Sequence, residues 1–227
     1  MKVFLIGLGS VLVLGLLAWA VMFSAIPSPV QTAVKVVSVS TSTLQESAQG
    51  YTIKIDYPHV GIPAIDSQIK KSVEDAAAEF KTLAQPDQSA GSKVGGLPQN
   101  SFDGTFESVY VGPDVVSAVL ILSQYTGGAH PLTILSGVNF ERTTGRKLLL
   151  DDALKLIGKS TEQVSAEVTA QLIAKFGQGF FAEGANTNPE NFSSFVISAD
   201  SVTFIFQQYQ VAAYVAGPQK ISFTRIK

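Results

Sequence analysis

Cysteine is absent from the 227-residue chain. A disulfide framework, a cysteine nucleophile, a thiolate metal site and a lipid-modified cysteine anchor are therefore excluded. Any folded domain in this chain must be stabilised by its hydrophobic core alone, and about 200 residues are enough to bury one.

Charged residues are also scarce, at 15% of the chain against a usual share of about 25%. Lys2 is the only charged residue before Lys35, and the chain after Lys2 has a net charge of −3. A nucleic-acid partner would require a basic face, so this composition argues against nucleic-acid binding.

The N-terminal segment is almost wholly apolar. Residues 3–23 read VFLIGLGSVLVLGLLAWAVMF, and a helix of this length, at about 1.5 Å per residue, spans the roughly 30 Å core of a bilayer. Two interpretations of residues 1–26 compete: a signal peptide with an A-x-A cleavage site at 18–20, and an uncleaved signal anchor. The apolar length favours the anchor, and Lys2 favours an N-terminus inside the cell. We therefore predict a single-pass protein of the cytoplasmic membrane with an extracytoplasmic body.

Composition and patterning divide the rest of the chain. Residues 27–44 mix Pro, Ser, Thr and Val, which predicts an extended stalk, and residues 45–227 are predicted to form the folded domain. Residues 51–57 alternate apolar and polar side chains and predict a strand. Apolar residues that recur every three or four positions behind Pro63 predict an amphipathic helix over 63–84.

The second half of the chain predicts further strands and one more long helix. The run 115–122 is almost continuously apolar, which is typical of a strand covered on both faces. Ser160 and Gln163 form a capping box before an apolar stripe that ends at Gly177, which predicts the helix. Helices and strands do not alternate regularly, so we predict an α+β fold, a mostly antiparallel sheet packed with two main helices and preceded by the N-terminal transmembrane helix.

The heptapeptide YTGGAHP at 125–131 holds His130, one of only two histidines. Gly127 and Gly128 allow a sharp reversal between two strands, which is the interpretation we favour. The alternative is a catalytic histidine, which needs a nucleophile, an orienting carboxylate or a metal ion beside it.

Sequence motifs for catalysis are missing. Neither a G-x-S-x-G elbow nor a phosphate-binding loop occurs. A zinc site built from His59, His130 and either Asp56 or Glu141 is conceivable, although no metal-binding spacing supports it. We therefore expect no catalytic residue, no metal and no cofactor.

The segment QQYQVAAYVAGPQ at 207–219 carries two tyrosines ahead of a turn. These side chains either cover the end of the sheet or contact a ligand, by stacking on glycan rings or filling a protein interface. Loops on a rigid scaffold often carry function, so this loop and the glycine-rich turn form our candidate ligand-binding surface. Its candidate residues are Tyr125, Gly127, Gly128, His130, Tyr209 and Tyr214.

Three segments also carry a family resemblance: YTGGAHP at 125–131, NFERTTGRKLLLDDAL at 139–154 and FIFQQYQVAAYVAGP at 204–218. In order and spacing they resemble the RsiV-like exported domains of unknown function. These domains occur in lysozyme-sensing anti-sigma factors and ahead of the catalytic domain in PdaC-type peptidoglycan deacetylases. The resemblance covers most of 45–227 and implies an α+β module that recognises a ligand at the cell envelope.

Residues and resemblance together predict a membrane-anchored, extracytoplasmic binding module that is not an enzyme. Its expected partner is an envelope protein, lysozyme-like by the resemblance, or peptidoglycan. The alternative prediction is a small envelope hydrolase that acts on peptidoglycan through His130 and a carboxylate.

Overall fold

A computed structural model describes residues 38–48, 50–84, 100–127 and 129–226. None of the helices in these ranges is long and apolar enough to cross a membrane. The predicted transmembrane segment and most of the predicted stalk lie outside the described residues.

The described residues form eight strands and three α-helices. The strands are β1 (Ser40–Ala48), β2 (Tyr51–His59), β3 (Asn100–Val111), β4 (Val115–Tyr125), β5 (Leu132–Glu141), β6 (Phe195–Ile197), β7 (Ser201–Phe206) and β8 (Gln219–Thr224). The helices are α1 (Pro63–Leu83), α2 (Leu150–Ile157) and α3 (Thr161–Phe176).

The strands assemble into two sheets. The larger has the order β1-β2-β3-β4-β5, in which only β2 and β3 run parallel, because the connection through α1 returns the chain to the starting end. The smaller is antiparallel β6-β7-β8. The α+β class and the mostly antiparallel pairing are confirmed. The two main helices of the prediction are α1 and α3, and α2 is a third, short helix. The prediction of a single sheet was wrong, because the last three strands pair among themselves.

Helix α1 forms where apolar residues recur at helical spacing. Its buried stripe includes Ile65, Ile69 and Phe80, and Pro63 suits the first turn because it has no N–H to leave unsatisfied. The Phe80 ring stacks on Phe102 of β3, with centroids 5.1 Å apart. Each such buried side chain stabilises the fold by about 1.5–3 kcal/mol, so this stripe fixes α1 on the larger sheet.

Strand β4 is covered on both faces, as its apolar run predicts. Val116, Ala118 and Leu120 belong to the core under α1, whereas Val115 and Val119 pack toward the smaller sheet. Successive side chains of a strand point to opposite faces. The fold therefore has three layers: α1, the larger sheet, and the smaller sheet with α2 and α3.

Strand β1 begins inside the segment predicted as a stalk. It pairs with β2 from Ser40 opposite His59 to Ala48 opposite Tyr51, so residues 40–44 belong to the sheet. The polar Ser and Thr side chains that we interpreted as a stalk also suit a solvent-exposed edge strand.

Glu46 fastens this edge strand to its neighbours. Its carboxylate accepts hydrogen bonds from the Tyr51 hydroxyl and the Lys81 ammonium of α1. The Tyr51 bond, followed by the Lys81 bond, holds the pKa of Glu46 below its ordinary value. The same carboxylate raises the pKa of Tyr51 and of Lys81.

We expect the contribution of Glu46 to stability to depend on pH. A carboxyl whose pKa is lowered by folding stabilises the folded state above its unfolded pKa of about 4.3, and the effect is lost as pH falls through the folded value. Glu46→Gln should therefore lower the urea midpoint at neutral pH and match the wild type in strong acid. Glu74→Gln, on the exposed face of α1, is the control. A Glu46→Gln deficit that persists unchanged in acid would contradict this explanation.

Candidate functional site

Buried polar side chains fix the smaller sheet on the larger one. The Ser117 hydroxyl of β4 donates to the Asn139 amide oxygen of β5 at 2.6 Å, and the Asn139 NH₂ donates to the Phe195 carbonyl of β6 at 2.8 Å. The Ile197 N–H donates to the Ser117 oxygen at 2.8 Å. Buried polar groups need such partners, so these bonds determine where β6 and the following strands lie.

Gly137 of β5 permits this close approach. A Cβ atom at this position would lie 1.7 Å from the Phe195 carbonyl oxygen, so glycine is required. The Gly137 N–H donates to the Ser194 hydroxyl, and that hydroxyl donates to the Leu135 carbonyl. The outer edge of β5 is thereby capped by side chains.

Gln207 places the connection between β7 and β8 beside the same edge. Its amide oxygen accepts the Leu135 N–H at 2.9 Å, and its NH₂ donates to the Leu135 carbonyl at 2.8 Å. This two-point pairing replaces the bonds that a neighbouring strand would make. The loop 207–218 therefore starts alongside β5.

Two further glutamines hold this loop. Gln210 accepts the Gln207 N–H and donates to the Gly184 carbonyl at 2.9 Å. Gln219 is buried, and its NH₂ donates to the Ala216 carbonyl at 2.7 Å. Side-chain amides bind the backbone at the beginning and the end of the loop, so they hold the loop in one conformation.

The loop brings its tyrosines onto the glycine-rich turn. The rings of His130 and Tyr214 are stacked, with centroids 4.5 Å apart and planes at 28°. Tyr209 lies against Tyr214 at 5.2 Å and 38°, and Val215 follows in the short 3-10 turn Tyr214–Ala216. We call His130, Tyr209, Tyr214 and Val215 the aromatic ridge.

The ridge is exposed to solvent. Tyr209 is 57% exposed, Tyr214 36% and Val215 93%. Tyr209 also has a φ of +64°, a conformation that costs a residue other than glycine about 1–3 kcal/mol and often marks functional sites. An exposed ring on a strained backbone makes Tyr209 a candidate binding residue.

The structure brings together three of the six predicted binding residues: His130, Tyr209 and Tyr214. Gly127 has a φ of +100°, which fits the predicted turn. Gly128 lies outside the described residues. Tyr125 ends β4, where it pairs with Ser101, and it therefore belongs to the sheet from which the turn begins.

The conceivable zinc site is not assembled. Tyr51 pairs with Asn100 and Ser101 pairs with Tyr125, so the start of β2 lies at the end of the sheet that carries the His130 turn. His59 ends β2, and the strand length of about 3.3 Å per residue separates the two histidines by roughly 26 Å. His59 instead lies 3.4 Å from Asp66 at the start of α1. Within the described residues, no group of His, Asp and Glu side chains could hold a metal ion.

Sequence reasoning missed the features that support the ridge. Val215 and the glutamines Gln207, Gln210 and Gln219 were not among the candidates. One signal was available, because no charged residue occurs between Asp200 and Lys220. Depletion of charged residues together with tyrosine is a compositional signal of interfaces.

Fold and site define a class: a three-layer α+β domain that displays an aromatic ridge on a preorganised loop. Two family models match its two halves. Residues 44–133, from β1 to the start of β5, match the model described as "Deacetylase PdaC". Residues 150–225, from α2 through β8, match the model described as "Protein of unknown function (DUF3298)".

The chain is also similar to whole proteins. The chain is 25% identical, over 83% of its own length, to the "Peptidoglycan-N-acetylmuramic acid deacetylase PdaC" of Bacillus subtilis, and it spans 40% of that protein. It is 24% identical to the "Immunogenic protein MPT64" of Mycobacterium tuberculosis, over 56% of each chain. The resemblance to the PdaC deacetylase predicted from the sequence is confirmed, and the RsiV-like assignment stays a prediction.

Solved structures share the fold. A DUF3298 family protein from Bacteroides fragilis superposes with a TM-score of 0.57 at 18% identity, covering 83% of this chain and 90% of that one. Another from Pseudomonas aeruginosa has a TM-score of 0.56 at 15% identity, with the same coverage. At these identities the likeness concerns the fold alone.

Proposed function

We propose that this chain is a membrane-anchored, extracytoplasmic module that binds an envelope protein or a cell-wall ligand and does not itself catalyse a reaction. The observation that carries the proposal is the aromatic ridge. Its exposed tyrosines belong to a residue type that is enriched at binding hot spots, and its loop is held in place by side-chain amides.

The ridge and the residue at which the chain enters the domain lie at opposite ends of the larger sheet. The chain enters the domain at Ser40, which pairs with His59, whereas the His130 turn lies at the other end of the sheet, where Ser101 pairs with Tyr125.

The ligand class is supported by the relatives. The name of the Bacillus subtilis relative specifies peptidoglycan, which favours a cell-wall-related role for this chain as well. Deacetylation belongs to that longer protein, of which this chain spans 40%. We therefore propose recognition at the cell wall, with peptidoglycan or a lysozyme-like protein as the partners to test.

The rival function is peptidoglycan hydrolysis through His130. In a catalytic triad a carboxylate orients the histidine and stabilises the imidazolium that forms. The Nδ1 atom of His130 lies 2.9 Å from the Pro131 carbonyl, which fixes the ring but supplies no carboxylate, and the ring stacks on Tyr214. In the described part of the chain no carboxylate pairs with His130, so the geometry favours a structural and binding role for this residue.

Truncating the tyrosines should abolish binding without unfolding the domain. We expect the full-length chain, purified in mild detergent, to retain lysozyme or purified peptidoglycan in a pull-down. The double variant Tyr209→Ala/Tyr214→Ala should bind at least about tenfold more weakly, because exposed tyrosines at a hot spot each contribute about 1–2 kcal/mol.

The control is Leu149→Ala/Ile173→Ala, which removes one exposed apolar side chain immediately before α2 and another on α3. It should bind like the wild type, and circular dichroism should show both variants folded. Equal binding by the tyrosine variant and the wild type would refute the proposed site. Release of muropeptides by the preparation, abolished by His130→Ala, would establish the hydrolase instead.

A further inference from the structure

The two edge strands of the larger sheet, β5 and β1, differ in how their outer sides are bonded. On β5, Gln207 bonds both the N–H and the carbonyl of Leu135, and the Gly137 N–H donates to the Ser194 hydroxyl. On β1, no hydrogen bond reaches the outer backbone of residues 40–47 from any other described part of the chain. These backbone groups therefore form a template with which another strand can pair.

Strand β1 also lacks the features that keep an edge strand from pairing with another chain. Native edges are protected by proline, lysine, bulges or short length. Strand β1 contains no proline, lysine or arginine, and its pairing with β2 continues over all 9 residues without a shift in register. Its one charged residue, Glu46, is already bonded by Tyr51 and Lys81. A further strand can therefore extend the sheet here, which is a recurring mode of protein association.

The exposed face of β1 is complementary to itself in the antiparallel direction. With a two-fold axis at Leu44, Thr43 of one copy lies opposite Gln45 of the other, and Thr41 lies opposite Ser47. All four of these polar side chains are exposed, on the face of β1 that points away from α1. Cross-strand pairs of hydroxyl side chains stabilise a sheet. This face therefore suits a second copy of the same strand.

The opposite face of β1, toward α1, determines the register. Leu44 is half-buried and packs on the core beneath α1. On the axis it meets Leu44 of the second copy, and the apolar area that it still exposes becomes buried. Glu46 lies opposite Ser42, so no two charged side chains oppose each other. An axis moved by one residue would set Leu44 against Ser42 or against the Glu46 carboxylate, so the axis at Leu44 suits both faces best.

We infer that β1 pairs antiparallel with β1 of a second copy of this chain, about a two-fold axis at Leu44. The five-stranded sheets of the two copies then form one continuous sheet, and the interface consists of the same residues on both sides. The inference goes beyond the proposed binding function and does not depend on it, because it uses no residue of the aromatic ridge.

Disulfide trapping tests this pairing, since the chain has no cysteine of its own. Leu44→Cys and the control Ser42→Cys are each introduced into the full-length chain, which is purified in mild detergent and oxidised with copper phenanthroline. Across the axis, the two Cα atoms of position 44 lie about 5 Å apart, and those of position 42 lie roughly 14 Å apart. Because only the first distance suits a disulfide, Leu44→Cys should form at least about tenfold more covalent dimer.

The other outcomes of the trapping experiment would overturn the inference. Equal yields from positions 42 and 44 would indicate parallel pairing or random collision. The absence of a covalent dimer from position 44 would show that β1 does not pair in this register.

Paired charges test the same register with Leu44 intact. Thr43→Lys/Gln45→Lys sets like charges opposite each other across the axis, whereas Thr43→Lys/Gln45→Glu sets opposite charges there. Both positions are exposed, so both variants should stay folded, which circular dichroism checks. In sedimentation equilibrium of the full-length chain, the first variant should dimerise at least about tenfold more weakly than the second. A monomeric wild type, or equal dimerisation of the two variants, would contradict pairing through β1.

Discussion

Gly137→Ala is expected to destabilise the domain by about 3 kcal/mol or more, at the upper end of what overpacked positions lose. The added Cβ atom would lie 1.7 Å from the Phe195 carbonyl oxygen, well inside the contact distance of the two atoms. Because the neighbour is backbone, it cannot rotate away as the end of a side chain could. Either β5 or β6 must move.

Movement of β6 would break the buried hydrogen bonds between the sheets. Asn139 donates to Phe195, and Ser117 accepts from Ile197, so a shift leaves buried polar groups without partners, at about 1–3 kcal/mol each. The effect of Gly137→Ala should therefore exceed that of a simple loss of packing.

Urea unfolding followed by circular dichroism measures this effect. Trp19, the only tryptophan, precedes the domain, so tryptophan fluorescence would not report on it. Gly179→Ala is the matched control, because a Cβ atom there meets nothing within 4 Å. An equal and small loss of stability in both variants would show that the sheets approach less closely than described.

Elements with a strong local pattern could be predicted from the sequence. Helix α1 was expected over 63–84 and spans Pro63–Leu83, because its apolar stripe and proline start need no tertiary information. The capping box of Ser160 and Gln163 is formed in the structure. Strand β4 was recognised as covered on both faces, since both sets of its side chains are apolar.

Features that depend on contacts distant in sequence could not be predicted. The residues that hold the two sheets together are Gly137, Ser117 and Asn139, and their hydrogen-bond partners at positions 194–197 follow more than 50 positions later. A single glycine or asparagine in a strand carries no periodic signal. The end of the stalk was misplaced for a related reason, because an exposed edge strand and an extended tether favour the same polar residues.

The candidate site was predicted in part. The proposal to combine the glycine-rich turn with the tyrosine loop placed His130 and Tyr214 on one surface, and the structure stacks their rings. The support beneath them was not foreseen, because glutamine is common on ordinary surfaces. Only the fold shows that Gln207 occupies the edge of β5.

Gly184→Ala should combine a loss of stability of about 2 kcal/mol with a loss of binding, because it acts on the support of the tyrosine loop. Gly184 lies in the buried part of a short 3-10 turn, and a Cβ atom there would lie 1.7 Å from the Gln210 carbonyl oxygen. The backbone at Gln210 would be displaced, and the hydrogen bond from the Gln210 side-chain NH₂ to the Gly184 carbonyl would lengthen.

A displacement of Gln210 would also move Tyr209, because the two residues are adjacent. Tyr209 has a φ of +64°, and the surrounding structure must hold it in that conformation. With that conformation released, the Tyr209 ring would leave Tyr214, and binding in the pull-down should fall toward that of Tyr209→Ala/Tyr214→Ala. Gly179→Ala again serves as the control for both measurements. If Gly184→Ala lost stability but bound normally, the loop would not need to be held in place before binding. Binding by the ridge would then depend only on which side chains it carries.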